Sequence, residues 1–360
     1  MKIAIMAPLV TAIREPQQGG SQAFVSDLAR GLVGRGHDVH VYAASGSQIP
    51  GVEVIDTGVD PESLAGTLYR AFGPTAPEAA AAGPAFARAY SSVRQVRYDV
   101  VHNHAFDAPA VRLATALQAP VVHTLHLPPD EAVAAALRQA ARSVRPPAVA
   151  TVSAFQAGAW RRIVRVDAIL PPYVPTHVIP WSRAPGDGAV FAGRLSPEKG
   201  AAEAIDIACA AGVPIDVYGD AYDAGYSREQ IGRRRNWPGV TVHQAVPRTS
   251  LWAAMARAAV VLYPVRWDEA FGMAAAEAQA CGTPVVAFRR GALGEVIADG
   301  VTGFLVPPGD VQAAVDAVGR TAGISRPTCR DHAERHLDLE RSLDAHERLY
   351  RQVAGLDDGG

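Results

Sequence analysis

Residues 2–43, KIAIMAPLVTAIREPQQGGSQAFVSDLARGLVGRGHDVHVYA, decide the fold. The apolar run KIAIMAPL (2–9) is short, carries Pro8 near its end and reads as a buried strand. A loop rich in Gly, Pro and Gln follows to Gly20. From 21 to 36 the apolar residues Phe24, Val25, Leu28, Leu32 and Val33 recur with the helical period, which stops at Arg35-Gly36. The next strand begins at His40. Strand, loop, helix, strand is the opening unit of a parallel α/β sheet.

Outward from this unit, further strands are predicted at 51–55, 99–102, 120–125 and 148–152. The Ala/Pro/Gly stretch 72–86 reads as an irregular insertion or a loose helix without chemistry. After Pro180 the pattern restarts, with strands at 189–193, 215–219, 240–243, 260–264 and 284–288 and helices over 200–211, 271–281 and 310–318. A linker carrying Pro171, Pro172, Pro175 and Pro180 separates the two sets, and 360 residues exceed what one core usually serves. The expected class is α/β, with two Rossmann-like, doubly wound domains at 1–175 and 182–333. The stretch 334–353, with Leu337, Leu343, Leu349 and Val353, is predicted as one helix crossing the domain junction, and residues 334–360 as that helix plus a tail. Ligands of such sheets sit at the carboxyl ends of the strands, so the site is expected in a central cleft between facing domains.

Composition narrows the function. The chain is 49% hydrophobic and 19% charged with a net charge of −2, which excludes an electrostatic nucleic-acid binder. The run Arg233-Arg234-Arg235 reads as a solvated loop. Cys209, Cys281 and Cys329 are odd in number and lack CxxC spacing, so neither a disulfide framework nor a thiolate zinc site is expected. Cys209 and Cys281 read as small core residues, and a reducing, cytoplasmic setting follows. No basic leader and no uncharged run of ~18–20 residues is present, so a soluble protein is expected. Only Lys2 and Lys199 are lysines among 34 basic residues, which draws notice to Lys199.

The strongest constellation is Glu269-Ala-Phe-Gly-Met-Ala-Ala-Ala-Glu277. Were it helical throughout, eight residues would rise about 12 Å, close to the span from a sugar ring past a diphosphate to a ribose. Glu269 is then placed to bond sugar hydroxyls and Glu277 a ribose diol. Phe271, Gly272 and Met273 stand where the helix N-terminus would face the diphosphate. The second constellation, Gly193-Arg194-Leu-Ser-Pro-Glu-Lys199-Gly200, follows a strand and opens a helix. Arg194 offers a planar fork and Lys199 a compact charge to a departing diphosphate.

Gly19-Gly20 allows close approach of backbone to a phosphate or sugar, but lacks the dinucleotide fingerprint GxGxxG, which counts against an NAD enzyme. His102, His104 with Asp107, and His123 with His126 fall at two strand ends. A zinc site is conceivable there, but two of the four histidines are expected as satisfied core residues and the others near a sugar or acceptor hydroxyl. His104 and Asp107 are the acceptor-side candidates. No D-x-D pair is present to hold a nucleotide-bound metal. The turn Gly291-Ala-Leu-Gly294 is expected to offer main-chain N–H groups to the sugar.

Taken together, the chain resembles, almost end to end, the retaining GT-B enzymes of glycosyltransferase family 4. The resemblance rests on Gly19-Gly20 with Arg35-Gly36-His37-Asp38-Val39, on GRLSPEKG at 193–200, EAFGMAAAEAQACGTPVVAF at 269–288 and DGVTGFLVPPGD at 299–310. YPVRWDEAFG at 263–272 is similar to a bacterial branch of that family. The resemblance implies a nucleotide-sugar donor, usually UDP-linked, and transfer with retention, without a covalent enzyme nucleophile; from the missing D-x-D pair and the presence of Arg194 and Lys199, no metal and no separate cofactor are expected. It matches Arg194 and Lys199 to the diphosphate-binding pair, Glu269 to the sugar carboxylate and Glu277 to the ribose carboxylate. Gly20 matches the glycine beside the transferred phosphate, and His126 the histidine near the reaction centre. The chain departs from the family at Trp181-Ser182-Arg183, where Asn-Gly-Val-Asp is usual, and at Ala292, where a second glycine is usual. The acceptor side is expected on the first domain, around 60–110, with a soluble small molecule or saccharide as acceptor. A sugar-nucleotide epimerase of the same architecture is the alternative reading.

Overall fold

The computed structural model describes residues 1–67, 76–184 and 186–356. The chain divides into two compact units. One comprises Met1–Arg14, Gly20–Pro172 and Leu339–Gly360, and the other Glu15–Gly19 and Tyr173–Asp338. Residues 72–75 of the predicted insertion, 68–75 of the predicted acceptor region and 357–360 of the predicted tail lie outside the described residues. From Ala76 the insertion is helical, through Ala76–Val93.

The first unit is built on β1 (Lys2–Met6), β2 (Asp38–Ala43), β3 (Glu53–Asp56), β4 (Val100–Asn103), β5 (Val121–Leu125), β6 (Ala148–Thr151) and β7 (Ala168–Ile169). They form one sheet in the order β3-β2-β1-β4-β5-β6-β7, parallel at every pairing. Ile3, Ala4, Ile5 and Met6 are all fully buried, which is why β1 is a continuous apolar run and not an alternating one. The two-residue β7 is too short to show a period in sequence.

The single helix expected over 334–353 is instead two helices, Arg326–His336 and Leu339–Ala354, which fall in different units. Within the first unit Leu339–Ala354 is held by charge and packing. Arg35 pairs with Glu340, Asp344 and Glu347, and His37 Nε2 lies 2.7 Å from Glu347. Tyr350, fully buried, reaches His102 with its hydroxyl at 2.6 Å.

The second unit is built on β8 (Ala189–Ala192), β9 (Ile215–Tyr218), β10 (Val240–His243), β11 (Val260–Tyr263), β12 (Val285–Phe288) and β13 (Gly303–Val306). Their order is β10-β9-β8-β11-β12-β13, again all parallel. The strand β13 lies inside the 299–310 motif and was not anticipated as a strand. Segment 176–182 is fastened to this unit by two buried arginines. Arg326 donates to the carbonyls of Ser182, Ala256 and Ala258, and Arg330 to those of Thr176, Ile179 and Ala280. Trp181, where the sequence departs from the family, stacks under Arg183 at 5.4 Å.

Strand order reverses between β1 and β4 in one sheet and between β8 and β11 in the other. Loops leaving the carboxyl ends at a reversal diverge to opposite faces of the sheet and leave a crevice.

Candidate active site

Two loops leave the reversal point of the second sheet, 193–200 after β8 and 264–272 after β11. They interlock. The Arg266 amide donates to the Glu198 carbonyl at 2.8 Å. Gly200, at φ +76, lies so close to Pro264 that a Cβ there would stand 2.1 Å from its carbonyl oxygen. Only glycine serves on both counts.

This contact joins the two sequence constellations. Lys199 Nζ donates to Glu269 Oε2 at 2.8 Å, and the same oxygen accepts from the Tyr263 hydroxyl at 2.9 Å and Trp267 Nε1 at 3.0 Å. Lys199 Nζ also lies 4.6 Å from the Trp267 ring centre. Burial works against the Glu269 charge, but the Lys199 charge and these hydrogen bonds outweigh it and hold the carboxyl below its ordinary range. Tyr263 is pushed well above the usual phenol range, first by burial and then by Glu269; the charges of Arg194 and Glu277 reach it as well. Three predicted residues, Glu269, Arg194 and Glu277, thus act on Tyr263, which the sequence reading had not singled out.

Arg194 and Lys199 were read as cations for a diphosphate, and in the structure each has a carboxylate. Arg194 Nη2 meets Glu198 Oε1 at 3.3 Å and stacks over Tyr222 at 4.2 Å. A guanidinium has five N–H donors and an ammonium three, so both keep capacity for a ligand.

The helix expected from 271 is Met273–Ala280, preceded by Gly272 at φ +104. Glu269 to Gly272 is therefore loop, and the straight helical rise between the two glutamates does not apply. Phe271 is buried at the helix entrance beside Tyr173, with ring centres 5.8 Å apart. Glu277 is 5% exposed and accepts from Arg248 Nε at 3.0 Å and Nη2 at 2.7 Å, both on Oε1. Arg248 was missed because one arginine among so many carries no signal.

The turn at Gly291 also has a task inside the protein. Its Ala292 amide donates to the Glu269 carbonyl at 2.8 Å and is not left for a sugar. A Cβ on Gly291 would lie 2.2 Å from that carbonyl oxygen. The turn braces the backbone that carries Glu269.

In the first unit the histidines sort into two kinds. His102 is hydrogen-bonded on both nitrogens, to Tyr350 at 2.6 Å and Thr124 at 2.7 Å, and His123 Nδ1 accepts from the Asn103 amide at 3.0 Å. His104 Nδ1 and His126 Nε2 meet at 2.9 Å. Burial, and then the neighbouring His346, depresses His126 to about 3. Burial raises Asp107 to about 6, and its Oδ2 is buried without a hydrogen-bond partner. Gly20 opens the helix Gly20–Gly34, and Gly19 precedes it. Among the described residues no group of three His, Cys, Asp or Glu side chains is arranged to hold a metal ion. Among them, too, no helix is long and apolar enough to cross a membrane.

The sequence model for glycosyl transferases group 1 matches residues 187–322, and that for Glycosyltransferase Family 4 matches residues 18–180. The D-inositol 3-phosphate glycosyltransferase of Mycolicibacterium paratuberculosis is 30% identical, over 90% of this chain and 82% of that protein. The chain belongs to glycosyltransferase family 4. A second relative of the same name, from Kribbella flavida, is 29% identical over 84% of this chain and 82% of its own. Among solved structures, the sucrose-phosphate synthase of Thermosynechococcus elongatus superposes with a TM-score of 0.79 at 20% identity, covering 99% of this chain and 100% of that one. Anabaena HepE in complex with UDP-glucose gives 0.73 at 20% identity, over 97% and 99% of the two chains. At such identities the likeness speaks for the GT-B fold, which this family 4 glycosyltransferase has. Both family models describe glycosyl transfer, which disfavours the epimerase reading.

Proposed function

We propose that this glycosyltransferase moves a sugar from a UDP-sugar to a hydroxyl of a soluble small-molecule or saccharide acceptor, with retention and without a metal, in the cytoplasm. The observation that carries the reading is the part-buried Lys199–Glu269 pair, whose carboxylate Tyr263 and Trp267 fix at a strand-order reversal. Its sequence surroundings match the family, and YPVRWDEAFG resembles a bacterial branch of it. The solved complexes of HepE with UDP and glucose support the donor class, and the D-inositol 3-phosphate named for the relatives supports a small polar acceptor.

In this reading Arg194 and Lys199 bind the diphosphate together with the N-terminus of Met273–Ala280. Gly19 and Gly20 approach the transferred phosphate. Glu269 accepts from sugar hydroxyls through Oε1, the oxygen that takes none of the three internal donors, and Glu277 accepts from the ribose. As the bond from the anomeric carbon to phosphate breaks, the acceptor oxygen bonds that carbon on the same face and its proton passes to the departing phosphate oxygen. His126 steadies the sugar without attacking it, and Asp107 stands on the acceptor side; His104, fully buried and bonded to His126, does not meet the acceptor itself. Release of free nucleoside diphosphate, assayed across a panel of sugar nucleotides with and without acceptors, tests the whole reading. Release from no donor would end it.

Two narrower outcomes follow. Glu277→Gln keeps shape but removes the charge that pairs with Arg248, so calorimetry is expected to show UDP affinity roughly tenfold weaker. An unchanged Kd would make Glu277 structural. Activity is expected to survive EDTA, and proton NMR of the first product to show the donor's anomeric configuration. Since Arg194 and Lys199 each have a carboxylate partner, chelation is a severe test; loss of activity restored by magnesium would show that the protein cations do not suffice.

A further inference from the structure

The His104–His126 contact has a direction that can be worked out from its surroundings. Both side chains lie where burial strongly disfavours the imidazolium, so both rings are neutral and one proton lies between them. Two arrangements fit the 2.9 Å separation of His104 Nδ1 and His126 Nε2. If His126 donated through Nε2, the proton of His104 would sit on its own Nε2. That nitrogen is fully buried and has no hydrogen-bond partner. The nearby bare acceptor, His346 Nε2, is likewise without a partner, because His346 Nδ1 donates to the Ser342 carbonyl at 2.7 Å and the two free nitrogens do not meet. The arrangement would strand a buried N–H. In the reverse one, His104 Nδ1–H donates and only a lone pair is stranded, which is the more tolerated of the two defects.

The ring of His104 is also fixed in place. It lies 4.0 Å from the His102 ring, which is anchored by Tyr350 and Thr124, and 6.1 Å edge-on from Phe24. It cannot turn over to exchange its nitrogens without displacing core side chains.

We propose that His104 is a positioning residue that holds His126 as the Nδ1–H tautomer, so that His126 presents an N–H donor, and not a lone pair, to the donor sugar. This rests on the placement of His126 at the reaction centre proposed above. A neutral imidazole left to water favours the other tautomer, and the hydrogen bond on one ring nitrogen decides what the second offers. The site therefore selects a sugar bearing a hydroxyl or carbonyl oxygen able to accept from His126.

The test is nitrogen NMR of the full-length, 15N-histidine-labelled protein, with the His126 signals assigned by their loss in His126→Asn. The expected spectrum has the proton of His126 on Nδ1; a proton on Nε2 overturns the proposal whatever the activity. His104→Ala opens room for water, which can donate or accept. It is expected to give a mixture of His126 tautomers and a fall in kcat of about 10- to 100-fold, with the donor KM within about threefold. His104→Asn, whose amide can still donate from the Nδ1 position, is expected to recover most of kcat. Equal losses in the two variants, both folded by circular dichroism, would overturn the positioning role. If His126→Asn itself leaves turnover intact, the catalytic placement of His126 fails, while the tautomer result still stands or falls on its own.

Discussion

Lys199→Ala is expected to lower kcat/KM by about two orders of magnitude or more with the fold intact. The proposed loss is a contact to the departing diphosphate of about 2–4 kcal/mol, and each 1.36 kcal/mol is a factor of ten. The geometry adds a second consequence. Lys199 Nζ sits 2.8 Å from Glu269 Oε2 and is the main influence opposing the effect of burial on that carboxyl. Without it, burial dominates and the Glu269 carboxyl rises. Its depressed position means that Glu269 is charged at and above the ordinary carboxylate range and loses charge only at lower pH. In the variant that loss moves to higher pH, so the defect should deepen as pH falls from 8 towards 5. Lys199→Arg keeps the charge and should retain more activity. Steady-state rates across that range measure both effects. A near-wild-type kcat/KM for Lys199→Ala would remove Lys199 from the diphosphate site; a defect that does not vary with pH would separate it from Glu269.

The second large effect is instability in mild acid. His123 and His346 are each depressed to about 4 by burial, and His126 to about 3, chiefly by burial. His102 and His104 are held well below the usual imidazole range by the same cause, with neighbouring histidines adding to it. In the unfolded chain these groups titrate near 6.5. Below that pH the unfolded state binds more protons, so stability is full above about 6.5 and is lost as pH falls towards the folded values. At pH 5 each depressed histidine removes about 2 kcal/mol. Three such losses rival the whole stability of an ordinary domain, ~5–15 kcal/mol. Thermal unfolding between pH 7.5 and 5 should show a steep fall in Tm, and His346→Asn, which can keep the bond to the Ser342 carbonyl, should make it shallower. A Tm flat across this range would show that the histidines are hydrated or protonated in the folded state.

Much of the fold was legible in the sequence because it is periodic and local. The run at 2–9 and the helical spacing from Phe24 to Val33 are read over a few residues, and each needs only its own neighbours to be recognised. The motifs 193–200 and 269–277 were legible for the same reason, as continuous strings of unusual composition; a lysine among 32 arginines was conspicuous without any structure.

What the sequence could not state is which side chains meet. Lys199 and Glu269 are 70 residues apart, Arg248 and Glu277 29, and His102 and Tyr350 248. Each pairing is set by the packing of elements far apart in sequence, and that of Lys199 with Glu269 also by the close approach of backbones at Gly200 and Gly291, none of which has a local signature. The break at Leu337–Asp338 was hidden for the same reason: between Arg326–His336 and Leu339–Ala354 the Leu337 carbonyl accepts from the Val174 amide and Asp338 from the Thr176 hydroxyl, 162 positions away. The sequence by itself determined the class of fold, the family and the loops that carry the chemistry. Tertiary structure alone decided which atoms face one another, because burial and charge pairing act through distances that the chain closes only on folding.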